Sequence, residues 1–340
     1  MKEREPKLQP CHGSQPSGDH GATGHECSKI DTFCTLGDAD SMFYDSNLAD
    51  HMVKLLTDYA KSPMAAPFFV MAGFARPHAP WRVPARFMEL YPEGSVPMPQ
   101  HRLAPTGMPP IAYHRQGIYL VDGSVHVATP TKALNDSVTE DWRRHYYGAV
   151  SWFDFQVGRL LDTLASTKLE SSTIVVVHGD HGWQLGEHDS WHKQTNFELG
   201  ARVPLLIKVP WLSASSGGKH TTSMAELLDL YPTLAALTAT APAQAAELDG
   251  KSLAPLFTNP AGRPDSGAKH PIEDGSAAYS QYIRCHNLSL PAYDNDVECQ
   301  PASAQRSDAA HNQLTIMGAL LDSTLASSLT FSSPSCSSPC

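Results

Sequence analysis

Thr173–Val209 reads TIVVVHGDHGWQLGEHDSWHKQTNFELGARVPLLIKV. It opens on a β-branched apolar run, Ile174–Val177, which breaks at Gly179. A second apolar run, Leu205–Val209, closes it. Short apolar runs bounded by glycine and polar residues predict buried strands, here with a polar crossover between them. Asp180 and His181 stand side by side where the first strand ends, and Lys193 follows a short loop later. Ligands of open α/β sheets gather at the carboxyl ends of strands. The local pattern therefore predicts an α/β fold with a candidate site on this stretch.

Asp180 and His181 would point to opposite faces of a regular strand. At a strand end, where the chain turns through Gly179 and Gly182, both can reach one ion. A carboxylate with an imidazole suits a divalent cation, and an oxygen-rich set suits calcium or magnesium. Two residues do not make a metal site, and the pair reads equally as a turn aspartate beside a satisfied histidine. Lys193 can meet an anion or be a plain solvated lysine. His188 and His192 have the i, i+4 spacing of a helical zinc pair, but Gly186 and the local polarity argue against a helix there. Glu187 and Asp189 read as salt-bridged surface groups.

The chain of 340 residues can bury a sizeable core, and 41% hydrophobic with 18% charged residues fits a globular protein. The net charge of −10, with no offsetting basic stripe, argues against a nucleic-acid partner. No apolar run reaches the length of a membrane span, and the opening MKEREPKLQP shows no signal peptide. The seven cysteines form no Cys-x-x-Cys pair, and their odd number leaves at least one thiol unpaired within the chain. Two sequons, at Asn135 and Asn287, are compatible with secretion.

Taken in order, residues 1–40 lack periodicity and read as loop or disorder; His12, His20 and His25 there match no compact metal site. A helix is expected from Asn47, with Asn47 as its cap and Leu48, Met52, Leu55, Leu56 and Tyr59 at helical spacing. Phe68–Gly73 reads as a buried strand. The loop after it carries His78 between Pro77 and Pro80, a stiff setting that makes this histidine a site candidate. A long helix is expected from a capping box, Ser137-Val138-Thr139-Glu140. Its apolar stripe runs through Trp142, Tyr146, Val150, Phe153, Val157, Leu160, Leu161 and Leu164. Ser223–Glu226 repeats the capping-box pattern, Pro232–Leu237 reads as a short helix, and Ala277–Ile283 as a strand. The Ser-rich end reads as a disordered tail.

Several blocks resemble the sulfatase family, on its iduronate-2-sulfatase-like branch. They are FFVMAGFARPHAPWRVP (Phe68–Pro84), YYGAVSWFDFQVGRLLDTL (Tyr146–Leu164), DHGWQLGEHDSWHK (Asp180–Lys193), NFELGARVPLLIKVP (Asn196–Pro210), ELLDLYPTLAAL (Glu226–Leu237) and AYSQY (Ala278–Tyr282). The resemblance implies an alkaline-phosphatase-like α/β/α sandwich with a small C-terminal subdomain. It divides the chain into a loop at 1–40, an incomplete sulfatase α/β domain at 41–260, a remnant of the C-terminal subdomain at 261–300 and a low-complexity tail at 301–340. It implies that Asp180 and His181 sit at a Ca2+ site, that Lys193 binds a sulfate oxygen, and that His78 lies at the sulfate or the leaving oxygen. Trp183 would touch the sugar. The implied partner is a sulfated carbohydrate, of sulfated uronic acid type, and the implied compartment is secreted or lysosomal.

The family nucleophile is a formylglycine made from the cysteine of Cys-x-Pro-Ser-Arg. Cys11, Cys27 and Cys34 are followed by His-Gly-Ser-Gln, Ser-Lys-Ile-Asp and Thr-Leu-Gly-Asp, so no nucleophile is assigned. The family's first strand, with its paired metal-binding aspartates, finds no match either. The expectation is a sulfuric ester hydrolase by family that is inert as this chain stands. The alternatives are a non-catalytic sulfated-glycan-binding remnant and a metal-dependent phosphodiesterase of the same superfamily.

Overall fold

A computed structural model describes residues 33–36, 40–62, 66–109, 112, 117–119, 125–127, 133–240, 248–258, 277–287, 312–322 and 326–332. His12, His20, His25 and most of the cysteines lie outside these residues. The chain divides into two units. The first comprises Met1–Ala104, Gln116–Thr173 and Leu185–Ser190, and the second Pro105–Arg115, Ile174–Gln184 and Trp191–Cys340.

The first unit runs β1 (Phe33–Leu36), α1 (Tyr44–Ala60), β2 (Trp81–Pro84), α2 (Ala85–Met88), β3 (Gly117–Tyr119), β4 (Val125–Val127) and α3 (Asp136–Ser166). β1 and β2 pair in parallel, with Phe33 opposite Trp81. The loop expected through residue 40 thus contains a strand; four residues are too short a window for periodicity to show. β3 and β4 form an antiparallel pair. α1 lies along α3.

Three tryptophans, Trp81 on β2 and Trp142 and Trp152 on α3, are fully buried at 0% exposure. Trp81 meets Trp142 edge to face at 5.5 Å, and Trp152 meets Phe43 at 5.2 Å and Phe87 at 5.3 Å. Each tryptophan removes enough apolar surface to contribute about 5 kcal/mol. Gly148 lets α3 close on β2 and α2, because an added Cβ would lie 2.8 Å from Met88 Sδ and 3.3 Å from Val83 Cγ1.

The buried face of α3 runs through Trp142, His145, Ala149, Trp152, Gln156 and Thr163. The expected stripe shares Trp142 and Leu164 with this face and departs from it between them: Val150 and Leu161 are each 41% exposed. Of the two buried tryptophans the stripe included Trp142 and left out Trp152, because periodicity followed the branched aliphatic residues after Tyr146. The cap also differs from expectation. Asn135, not Ser137, caps α3, its Oδ1 accepting from Ser137 N and Ser137 Oγ at 2.8 Å each. Glu140, the expected partner in the box, accepts instead from Gly94 N. α1 starts at Tyr44, so Asn47 sits inside its first turn rather than at the cap.

Phe68–Gly73 joins no described ladder. Its residues alternate between half-buried and exposed, with Phe69 at 76% and Met71 at 77% exposure. The expected buried strand is therefore a corrected reading: the period-two pattern is there, but no described strand pairs with it.

The second unit runs β5 (Val175–His178), β6 (Gln184–Leu185, of which Leu185 is counted in the first unit), β7 (Trp191–His192), α4 (Glu198–Ala201), β8 (Leu205–Lys208), α5 (Ser213–Ser216), α6 (Leu230–Leu237), β9 (Ala277–Asn287), β10 (Asn312–Asp322) and β11 (Ala326–Ser332). β5 and β8 are antiparallel, pairing Val175 with Lys208 and His178 with Leu205. β9, β10 and β11 form an antiparallel meander in the order β11-β10-β9. Within the stretch expected as a tail, the described residues are those of β10 and β11.

The capping box expected at Ser223 belongs three residues later, between Glu226 and Asp229. Asp229, 5% exposed, also accepts from Lys251 N at 2.6 Å. Thr233 bonds Asp229 O at 2.6 Å and accepts from Leu253 N at 2.7 Å. α6 begins at Leu230, two residues before the expected start. Among the described residues no helix is long and apolar enough to cross a membrane.

Candidate functional site

The second unit gathers Asp180, His181, Trp183 and Lys193. β5 ends at His178, and Gly179 N donates to Pro204 O at 3.3 Å, so the chain leaves the sheet beside the start of β8. Gly182 then passes against the backbone of α4. Its N–H bonds Gly200 O at 2.9 Å, and an added Cβ would lie 2.1 Å from Leu199 O and 2.7 Å from Arg202 O. Only glycine fits that approach. The turn between these two glycines displays Asp180 and His181.

Asp180 Oδ1 accepts from His181 N at 3.0 Å, while Oδ2 lies 3.6 Å from His181 Nε2. The Asp180 side chain is 85% exposed. His181 Nδ1 lies 2.8 Å from Gly182 O. A carbonyl only accepts, so Nδ1 carries a proton, and Nε2 is the ring nitrogen that faces the carboxylate. Two cation ligands at about 2.4 Å and right angles would stand about 3.4 Å apart, close to the observed separation. The pair fits one corner of a cation site. Calcium takes about six to eight oxygen ligands, and the described residues hold no group of three His, Cys, Asp or Glu side chains that could bind a metal. They fall short of a complete calcium site.

Lys193 Nζ lies 5.6 Å from the centre of the Trp183 ring, within cation–π range. The His192 ring meets Trp183 edge-on at 5.1 Å, and the His181 ring is 6.2 Å away. His192 has a φ of 66°, in the left-handed region. A regular strand would send His192 and Lys193 to opposite faces; the left-handed residue breaks that alternation, and both side chains reach one indole. His192 thus joins this cluster, where the sequence offered it only as a zinc ligand. Its signal, a non-glycine left-handed backbone, is not visible in sequence.

His78 stands in the first unit, exposed, on the loop before β2. Its Nδ1 lies 2.5 Å from Ala79 O, its N–H bonds Ala75 O at 2.9 Å, and Arg76 Nη1 donates to its carbonyl at 2.8 Å. The peptides Arg76–Pro77 and Ala79–Pro80 are cis. The loop is held from α1: Asp45, 3% exposed, accepts from Ala75 N at 2.7 Å and Arg76 N at 3.1 Å. Asp45 went unremarked in the sequence, where an aspartate in a first helical turn looks like an ordinary dipole partner.

Also in the first unit, the turn Leu185–Ser190 is tied to α3. Arg143 Nη1 donates to Leu185 O at 2.8 Å and Glu187 Oε1 at 2.9 Å, and Glu187 Oε2 accepts from Leu185 N at 2.9 Å. Glu187 is salt-bridged as expected, but to a nearly buried arginine. Asp189, expected at the surface, is 1% exposed. The expected absence of a helix here fits a strand at Trp191–His192 and a left-handed His188 at φ 57°.

A sulfatase family model matches residues 15–240. Iduronate 2-sulfatase of Mus musculus is 31% identical over 225 residues, covering 57% of this chain and 39% of the relative. The Homo sapiens protein of that name is 30% identical over 218 residues, and choline-sulfatase of Rhizobium meliloti is 39% identical over 127, covering 36% of this chain and 24% of the relative. The chain spans 39% of the length of the iduronate 2-sulfatases it matches.

Among solved structures, a phosphonate monoester hydrolase from Silicibacter pomeroyi superposes with a TM-score of 0.59 at 18% identity, over 90% of this chain and 59% of its own. One from Agrobacterium radiobacter gives 0.60 at 19%, over 88% and 56%. At such identities the likeness concerns the fold, which is the α/β, alkaline-phosphatase-like one. With the family model covering most of its length, and with the Asp-His pair, the lysine and the proline-flanked histidine all inside the matched residues, this chain belongs to the sulfatase family and is iduronate-2-sulfatase-like.

Proposed function

We propose that this chain carries the cation-facing and sulfate-facing part of a sulfuric ester hydrolase site, for sulfated uronic acid in polysaccharide. The observation that supports this most is the placement of Lys193 on Trp183, one residue beyond the turn that displays Asp180 and His181. A lysine ammonium is a compact charge suited to a sulfate oxygen, and an exposed carboxylate beside an imidazole suits a divalent cation. In this reading Asp180 and His181 are two of the Ca2+ ligands. His78 meets the sulfate or the leaving oxygen, where an imidazole can donate a proton. Trp183 lies at the sugar. A bound calcium would supply electrostatic stabilisation of charge developing on the sulfate oxygens. The setting proposed is a secreted or lysosomal one.

The 340 residues contain no Cys-x-Pro-Ser-Arg, so on their own they bind without turning over. A nucleophile and its partners act as a unit, and the remaining groups cannot replace it. The phosphonate monoester hydrolases share the fold only and do not favour a phosphodiesterase.

The test uses the purified 340-residue chain. With calcium and an aryl sulfate, no turnover above buffer is expected. Calorimetric titration with a sulfated uronic acid disaccharide should show weak binding that falls at least about tenfold in Lys193→Ala, a loss of about 1.4 kcal/mol. Turnover above background, or an affinity unchanged by the substitution, would overturn the proposal.

A further inference from the structure

We infer that Trp183 is a positioning residue for Lys193, its indole face holding the ammonium at the place where an anion is met. The anion part rests on the reading just given. The indole is itself held: His192 abuts it edge-on at 5.1 Å and His181 lies at 6.2 Å. Lys193 Nζ stands 5.6 Å from the ring centre. A lysine has four rotatable side-chain bonds, and fixing them when an anion is captured costs rotamer freedom. A ring quadrupole that already gathers the ammonium removes part of that cost before the ligand arrives. The backbone is arranged for it, since His192 at φ 66° turns Lys193 onto the same indole as its neighbour.

This differs from a sugar platform in a way that can be measured. A platform acts on the ring of the substrate and is silent toward inorganic sulfate. A positioning residue acts on Lys193 with any anion, or none.

The first experiment needs no ligand. The chain is labelled with lysine carrying carbon-13 at the ε position, and the Lys193 signal is identified by its absence in Lys193→Arg. Wild type should show the Lys193 ε-protons shifted upfield by the indole ring current. The shift should vanish in Trp183→Leu and persist in part in Trp183→Phe. An unshifted Lys193 signal in wild type overturns the inference, and that measurement does not depend on any variant folding.

The second experiment titrates inorganic sulfate. Affinity should fall about fivefold in Trp183→Leu and stay within about twofold in Trp183→Phe. Equal sulfate affinity in all three proteins overturns the positioning role. If wild type binds neither sulfate nor the sulfated disaccharide, the sulfate-site reading fails while the ring-current result still decides the role of Trp183.

Discussion

Arg143 and Glu187 lie 44 residues apart in sequence and meet at 2.9 Å, with side chains 7% and 23% exposed. The guanidinium also reaches Leu185 O, and the carboxylate returns to Leu185 N, so three bonds close one turn of chain against α3. Removing one member of such a pair leaves the other desolvated and unmatched. Arg143→Met should cost about 3 kcal/mol and Glu187→Gln, which keeps the shape and one acceptor, about 1 kcal/mol. Urea unfolding of the three proteins checks this. A wild-type midpoint for Arg143→Met would show that the bonds are ornamental to stability.

Gly182 offers a test of backbone contact rather than charge. A methyl group there would meet two carbonyl oxygens, at 2.1 and 2.7 Å, and neither belongs to a flexible side chain. Gly182→Ala should destabilise by about 3 kcal/mol. Gly73→Ala is the control, since nothing lies within 4 Å of an added Cβ there. That change should stay within about 0.5 kcal/mol. Thermal melts that rank the two variants the other way round would contradict the close approach of Gly182 to α4.

At the start of α3, Asn135 and Ser137 compete for the role of cap. The Asn135 carbonyl oxygen takes both the backbone and side-chain donors of Ser137. Asn135→Ala should therefore cost about 1 kcal/mol and Asn135→Asp little, with Ser137→Ala costing only a few tenths. A larger loss at Ser137 than at Asn135 would restore the capping box that the sequence suggests.

Burial pushes the Tyr146 hydroxyl up to about 12 from an ordinary 10.0. The unfolded chain releases this proton near pH 10, and the folded chain holds it until near pH 12. The stabilising contribution is complete below pH 10 and is lost as pH rises through that window. Tyr146→Phe should remove this part of the alkaline loss, so the difference in unfolding midpoint between wild type and variant should grow between pH 10 and 12. A constant difference across that range would show that Tyr146 is not desolvated.

The grouping of the proposed site's residues in the second unit was legible because they are neighbours in sequence. Asp180, His181, Trp183 and Lys193 lie on one short stretch between two apolar runs, and glycines mark where it turns. The irregular loop that carries His78 was legible through its prolines. What could not be read are the groups that act from far along the chain. Asp45 grips the loop around residue 76, Arg143 grips Glu187, and neither bond has a local signature. Helix existence followed from periodicity at α1 and α3, but the caps did not. Asn135 and Ser137 are both cap-forming types, and the Glu140 that would complete a box with Ser137 is bonded instead to the N–H of Gly94, far back in the chain. The buried face of α3 was misjudged for a related reason. Gly148 looks indifferent in sequence, yet its lack of a side chain is what admits Met88 and Val83.

Phe68–Ala75 has a consequence for how the protein behaves in a tube. Phe69 and Met71 face outward from a run with no charged residue between Ser62 and Arg76. The net charge of −10 keeps molecules apart only over about one Debye length, roughly 10 Å at 0.1 M salt. Raising the salt shrinks that distance and leaves two apolar side chains free to find their counterparts on another molecule. These eight uncharged residues are thus one place where this acidic protein can stick to itself. Because Met71 is one of them, mild peroxide, by making its thioether polar, should slow clumping rather than hasten it.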